Sequence, residues 1–182
     1  MTTTTATTTK WGLDKAHSEI QFKAKHMMIS NVTGGFNSYD ATIETEDEDF
    51  STAQITFTAD TASVNTGSEQ RDGHLKGDDF FNAEKFPKIT FVSTSVEKTG
   101  EGKFKLNGDL TVRDVTKPFS LDVVFEGKVV DPWGNTKLGF SLNGKLSRKE
   151  FGLIWNVVTE AGGILVSDEV KIQASVQVAK AS

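Results

Sequence analysis

The chain has no cysteine. Disulfides, thiolate nucleophiles and cysteine-bound zinc are excluded together, and any metal would have to rely on histidine and carboxylate ligands. Histidine is itself scarce, with only His17, His26 and His74 present. No apolar run approaches the ~18 residues that a membrane-crossing helix requires, so no integral membrane segment is expected. Positive charge is not in excess either: 20 basic residues against 25 acidic ones leave a net charge of −5. Neither nucleic acid nor an anionic lipid surface is therefore expected to attract the molecule as a whole. The first ten residues are mostly threonine, without the apolar core of a secretory signal or the arginine-rich pattern of an organelle import segment, which reads as a cytoplasmic protein.

What is present is one domain's worth of half-apolar pattern. The 182 residues fit a single domain at roughly 150 residues per domain, and 36% apolar with 25% charged side chains excludes disorder on composition. We expect a flexible threonine-rich tail over residues 1–10 and one folded unit over 11–182. From Trp11 onward the periodicity is two: Ile20, Phe22 and Ala24 alternate with Gln21 and Lys23, and Ala53, Ile55, Phe57 and Ala59 with polar neighbours. The same alternation recurs around Phe36 to Ile43, Ile89 to Val96, Phe104 to Val112, Phe119 to Phe125, Leu138 to Leu146 and Val170 to Val178. Because successive side chains of a strand point to opposite faces, this predicts about eight one-faced strands. Without crossover helices they must run antiparallel, as a two-sheet sandwich or a closed barrel. The apolar face combines 13 Phe, against a single Tyr, with small residues such as Ala24, Ala59, Gly108, Gly127 and Gly144. Small residues could leave a hollow or could simply accommodate the rings in a solid core.

One segment breaks the pattern. Thr66 to Gly77 places a threonine three residues before Glu69 and ends on glycine, which predicts a short helix capped by Thr66. It would form a lid or rim on a barrel. A second irregular stretch, Asn156 to Asp168 with Gly162 and Gly163, is expected to flank the opposite end. Candidate chemistry is sparse. His17 and His26, nine residues apart, would project to opposite faces of a strand, and His74 has Asp72 nearby to orient it but no partner serine. No His-Glu-x-x-His spacing occurs. The alternative role for Arg71, Asp72 and His74 is to tie the helix to the rim by hydrogen bonds. The acidic run Glu44 to Asp49 lacks the glycine and distal glutamate of a calcium loop and reads as a solvated hairpin turn. Lys145, Arg148 and Lys149 form a small basic cluster that could meet an anionic head group.

Five ordered runs carry a family resemblance: Leu13 to Phe22, Arg71 to Phe81, Phe86 to Phe91, Gly108 to Pro118 and Ser147 to Asn156. Together, over about Trp11 to Ala179, the chain resembles the YceI-like family of polyisoprenoid-binding proteins. The resemblance implies an all-β, eight-stranded antiparallel lipocalin-like barrel with short helical insertions, holding a polyisoprenoid or similar long-chain amphiphile. It also permits a homodimer and implies no cofactor and no enzymatic activity. Members are often periplasmic and made with a signal peptide, a feature from which this chain departs. Expected lining residues are Ile20, Phe22, Ala24, Phe57, Phe91, Leu110, Phe125, Phe140 and Leu142, with Arg71, His74 and Arg148 at a polar mouth. Two other functions fit the same sequence: an enzyme using His74 and Asp72 on a lipid-like substrate, and a structural, stress-related β-protein with a packed interior.

Overall fold

The computed structural model describes residues 5–156 and 165–181. Among them, eleven strands and one α-helix follow in the order β1 (Thr8–Leu13), β2 (Glu19–His26), β3 (Ser30–Phe36), β4 (Tyr39–Glu46), β5 (Asp49–Asp60), β6 (Val64–Asn65), α1 (Glu69–Lys76), β7 (Lys88–Gly100), β8 (Lys103–Val112), β9 (Val115–Val130), β10 (Thr136–Ser147) and β11 (Val166–Lys180). These make eight staves, because three pairs are halves of one interrupted strand. β1 continues into β2 across a helical turn at Lys15–His17, β3 into β4 across Asn37 and Ser38, and β5 into β6 across a second turn at Thr61–Ser63. All neighbours are antiparallel, and β1 returns to β11 through Trp11↔Lys180 and Leu13↔Val178, closing the barrel. Higher up, β2 takes over as partner of β11, with Ile172↔Phe22.

The interruptions are stitched to one another. The Tyr39 hydroxyl donates to the Ser18 carbonyl at 3.1 Å, the Asn37 N–H to the Ser63 carbonyl at 3.0 Å, and the Ser38 hydroxyl to Asp60 Oδ2 at 2.6 Å. One wall therefore bends without leaving its backbone groups unsatisfied. The floor of the barrel is packed by Trp11, Ile43, Leu138, Phe140 and Val178. Ring centroids run 5.2 Å from Trp11 to Phe50 and 4.9 Å from Phe50 to Phe140. The Trp11 indole N–H is satisfied by Thr45 Oγ1 at 3.0 Å. The Glu44 to Asp49 run is the β4–β5 hairpin turn, where Glu48 pairs with Lys128 and Lys180, both at 3.1 Å.

Three expectations are corrected. The threonine-rich tail does not extend to residue 10: Thr8, Thr9 and Lys10 pair with Glu46, Thr45 and Glu44, and Thr9 is buried, as β-branched residues favour on a half-buried strand. The helix cap is Ser68, whose Oγ accepts from the Arg71 N–H at 3.3 Å, while Thr66 bonds to the Asp72 side chain instead. The irregular stretch is entered beside α1, not at the far end: Trp155 contacts His74 at a centroid distance of 4.6 Å, and Arg148 joins the Trp155 carbonyl to that of Val166. Gly162 and Gly163 lie outside the described residues.

Arg148 holds this end together. It is only 3% exposed, and its guanidinium donates to four backbone carbonyls: Nε to Ser167 at 2.8 Å, Nη1 to Leu153 at 2.6 Å and Trp155 at 2.8 Å, and Nη2 to Val166 at 3.1 Å. Burial lowers its pKa from the ordinary guanidinium range, and the charge of Asp168 works against that. Burial works to raise the Asp168 carboxyl, but the Ser147 hydroxyl at 2.7 Å and the Lys149 N–H at 3.0 Å hold it below the usual aspartate value.

Arg148→Met leaves four carbonyls without their donor and should cost about 3 kcal/mol in denaturant unfolding. Arg148→Lys should recover little, since one compact ammonium cannot span four carbonyls. Because the folded pKa of Asp168 is depressed, its stabilisation is present above the ordinary aspartate value of 3.8 and lost as pH falls through the folded value. Asp168→Asn should therefore unfold earlier than the parent at neutral pH, and the two curves should converge in acid.

Candidate functional site

The inner faces of the staves enclose a cavity of about 760 Å³. Of the expected lining residues, Ile20, Phe22, Ala24, Phe57, Phe91, Leu110, Phe140 and Leu142 all stand on its wall. Phe125 does not. β8 ends at Lys103, opposite Val124, and the β9–β10 register slips so that Glu126 is left between the Phe140↔Phe125 and Gly139↔Gly127 pairs. Phe125 thus lies past the end of its neighbouring strand, 37% exposed, with its ring 5.5 Å from Phe140 and outside the cavity.

The small residues on the inner face play two different parts. Ala24, Ala41, Ala53 and Ala174 border the cavity and keep its cross-section wide. The glycines sit beneath rings. A Cβ at Gly108 would lie 2.4 Å from Phe91 Cζ and 2.5 Å from the Val92 carbonyl oxygen; at Gly34 it would meet Phe22 Cζ at 2.6 Å, and at Gly144 Leu121 Cδ2 at 2.7 Å and Phe119 Cζ at 3.0 Å. The rings lean sideways along the wall onto a neighbouring strand that offers no side chain. Space that they would otherwise fill at the barrel axis stays open.

The polar residues that border the cavity gather at its upper end. Lys25 and His26 come from the tip of β2, Ser68, Gln70, Arg71 and His74 from the helix and its cap, and Arg148 from the end of β10. Among the described residues no Asp or Glu lines the cavity. Arg71 and His74 thus border the cavity at its mouth, but Arg148 is committed to the backbone carbonyls and is not a free head-group contact. Asp72 does not orient His74. Its Oδ1 accepts from the Thr66 hydroxyl at 2.6 Å and the Thr66 N–H at 2.8 Å, because the next turn of helix points it back toward β6. Arg71 also donates to Thr66, so these two residues moor the helix.

His74 instead bonds to Asp79 at 2.9 Å through Nε2. Its ring meets Trp155 at 89° and Phe80 at 81°, with centroids 4.6 Å and 5.0 Å away. The helix carries no buried residue of its own. Its second attachment is therefore this aromatic contact across the mouth. The acid–base pair proposed for a lipid-processing enzyme, His74 with Asp72, is not assembled. His17 bonds to Asp14 at 2.9 Å while His26 faces the cavity, so the two occupy different surroundings. No group of three or more metal-ligating side chains occurs among the described residues. Trp155 and Phe50 were missed by alternation because one lies in an irregular segment and the other at a strand's first turn.

Gly108→Ala should lower stability by about 1–3 kcal/mol, the usual cost of overpacking. Combining it with Phe91→Leu should recover only part of that loss, since the Val92 carbonyl cannot retreat as a ring can.

Comparison with known proteins places this architecture. A family model described as YceI-like domain matches residues 11–178. A UPF0312 protein of Staphylococcus aureus (strain USA300) is 38% identical over 170 residues, covering 93% of this chain and 96% of that protein. The crystal structure of a Campylobacter jejuni YceI protein shares 36% identity, covers 100% of both chains and superposes with a TM-score of 0.76. At lower identity the fold persists: Burkholderia cenocepacia BcnA matches at 22% identity and a TM-score of 0.76, covering 91% of this chain and 98% of its own. A polyisoprenoid binding domain from Saccharophagus degradans matches at 14% identity and 0.65, covering 94% and 98%. With matching motifs, a shared closed barrel and full-length relatives above 30% identity, the chain belongs to the YceI-like family.

Proposed function

We propose that this protein binds a polyisoprenoid-type lipid and carries or sequesters it, without chemical turnover. The observation that carries the reading is the cavity itself: 760 Å³, apolar from the floor to the mouth, with its polar groups confined to one end. That volume lies within the roughly 300–1,000 Å³ of ligand sites generally. An apolar chain entering it gains about 0.8 kcal/mol per buried carbon, so a few five-carbon units supply most of a strong affinity before ordering costs are subtracted. The Saccharophagus degradans domain, which shares this barrel and is described as polyisoprenoid binding, supports the same ligand class.

The mouth selects orientation. Arg71 and the two imidazoles offer donors, and with no carboxylate on the cavity wall among the described residues the head group they suit is an acceptor such as a carboxylate, a phosphate or a hydroxyl. The chain end then reaches the floor at Phe140. The Thr66 bonds of Arg71 keep the helix in place beside the entering head group, and the His74–Trp155 contact is the part of the rim that a passing chain must displace.

Organic extraction of purified protein, followed by mass spectrometry, should recover a long-chain amphiphile, and lipid-free protein should take up added prenyl lipids. Ala174→Trp, which fills the cavity from β11, should weaken uptake at least about tenfold, or ~1.4 kcal/mol, while the barrel remains folded by circular dichroism. Protein that is repeatedly recovered without lipid and that also ignores added prenyl lipids would remove the proposal.

A further inference from the structure

The β2–β3 turn at the open end is apolar and unprotected. Met27, Met28 and Ile29 follow one another there at 44%, 57% and 83% exposure. Ile154, 70% exposed, lies in the segment that Arg148 clamps beside Val166, and the Met27 N–H donates to the neighbouring Leu165 carbonyl at 2.8 Å. The backbone makes the choice of residues stranger still. Met27 and Met28 have φ of 51° and 65°, two successive left-handed residues where glycine or asparagine would be favoured. Among the described residues neither methionine belongs to a core cluster.

Behind this apex the outer face is basic. Lys145, Lys171 and Lys23 stand directly opposite one another on β10, β11 and β2, an arrangement of like charges that weakens a sheet. Lys25 lies two residues nearer the apex and Lys149 just past the end of β10. Among the described residues none of these five lysines takes part in an ion pair. Glu150 and Glu169 are the free acids beside them, since Asp168 is occupied by Ser147 and the Lys149 N–H. This face is therefore positive although the whole chain carries −5, and overall charge does not describe it.

We propose that the open end docks on an anionic lipid bilayer, with Met27, Met28, Ile29 and Ile154 entering the acyl boundary and the lysine row facing the head groups. The proposal rests on the cavity taking a lipid chain, which would then pass between bilayer and barrel without crossing water. The dimensions agree. Lys25 is about 7 Å and Lys23 about 13 Å along the strand from Met27, at ~3.3 Å per residue. With the apex buried ~5–10 Å, Lys25 reaches the head groups and the lysine row lies within roughly one Debye length, ~8 Å, of them. A protein partner would be expected to offer a concave site for this convex tip, whereas a fluid bilayer accommodates flexible, unbranched methionines directly.

The test is co-sedimentation of the full chain with vesicles of phosphatidylcholine alone or mixed with phosphatidylglycerol, together with uptake of a fluorescent prenyl probe in vesicle-free solution. Wild type should favour the anionic vesicles and be released by salt. The double variant Met27→Asn, Met28→Gly suits the left-handed backbone, so it should melt no lower than the parent yet lose on the order of tenfold in vesicle partitioning. The triple variant Lys23→Gln, Lys145→Gln, Lys171→Gln should lose a similar factor on anionic vesicles only. Probe uptake should be unchanged in both. Uptake without vesicle binding, or equal vesicle binding by the apex variant, overturns the docking proposal and leaves the cavity reading standing. Vesicle binding without uptake supports docking and removes the cavity reading. A dimer in solution that the apex variant dissociates would assign the apex to a second copy and overturn docking.

Discussion

The hollow interior depends on where the phenylalanine rings go. An eight-stranded barrel is narrow enough for its own side chains to fill, so the nine phenylalanines that lie on its strands would ordinarily plug it. Here Phe91, Phe22 and Phe119 lean over Gly108, Gly34 and Gly144 of neighbouring strands. Each glycine removes the side chain that would prop its ring toward the axis. The wall thus keeps the apolar character of aromatic residues while alanines at four cavity-facing positions leave the middle open. Cavity and core share most of their residues: every member of the larger buried cluster lines the cavity, while Trp11 and Leu138 of the floor cluster lie beyond it.

The two ends of the barrel are made by opposite means. At the floor, Trp11, Phe50 and Phe140 stack behind the short β1–β11 closure, and the salt bridges of Glu48 to Lys128 and Lys180 join three elements across the outside. Among the described residues the mouth has no such plug. Its shape is set by a buried guanidinium that binds backbone carbonyls at both ends of the β10–β11 connection, and by a helix moored through Arg71, Asp72 and Thr66 on one side and by the His74–Trp155 ring contact on the other. A rigid floor with a lightly fastened rim is what entry and retention of a chain-like ligand require. The apolar apex and its lysines stand at that same end, so the route into the cavity and the surface that would supply its ligand coincide.

Alternation alone made the strands and most of the lining legible, because side-chain direction in a strand is a local property that repeats every two residues. Eight of nine expected wall positions border the cavity for that reason. Phe125 escaped because its direction depends on where β8 stops and on a bulge opposite Gly139, neither of which is written in β9 itself. The roles of Arg148 and Asp72 were misjudged on similar grounds. A basic residue next to two lysines reads as solvated, yet Arg148 is buried, since four carbonyls converge on it from the two ends of the β10–β11 connection, a turn too irregular for alternation to describe.

By itself the sequence determined an all-β chain of one-faced antiparallel strands, a short helix near residue 70 and membership of the YceI-like family, since alternation, turn chemistry and ordered motifs are all short-range or linear features. Only the tertiary structure decided between a hollow and a packed interior. That outcome turns on whether a ring on one strand finds a glycine or a side chain on the next, and a contact between strands exists only after the barrel has closed.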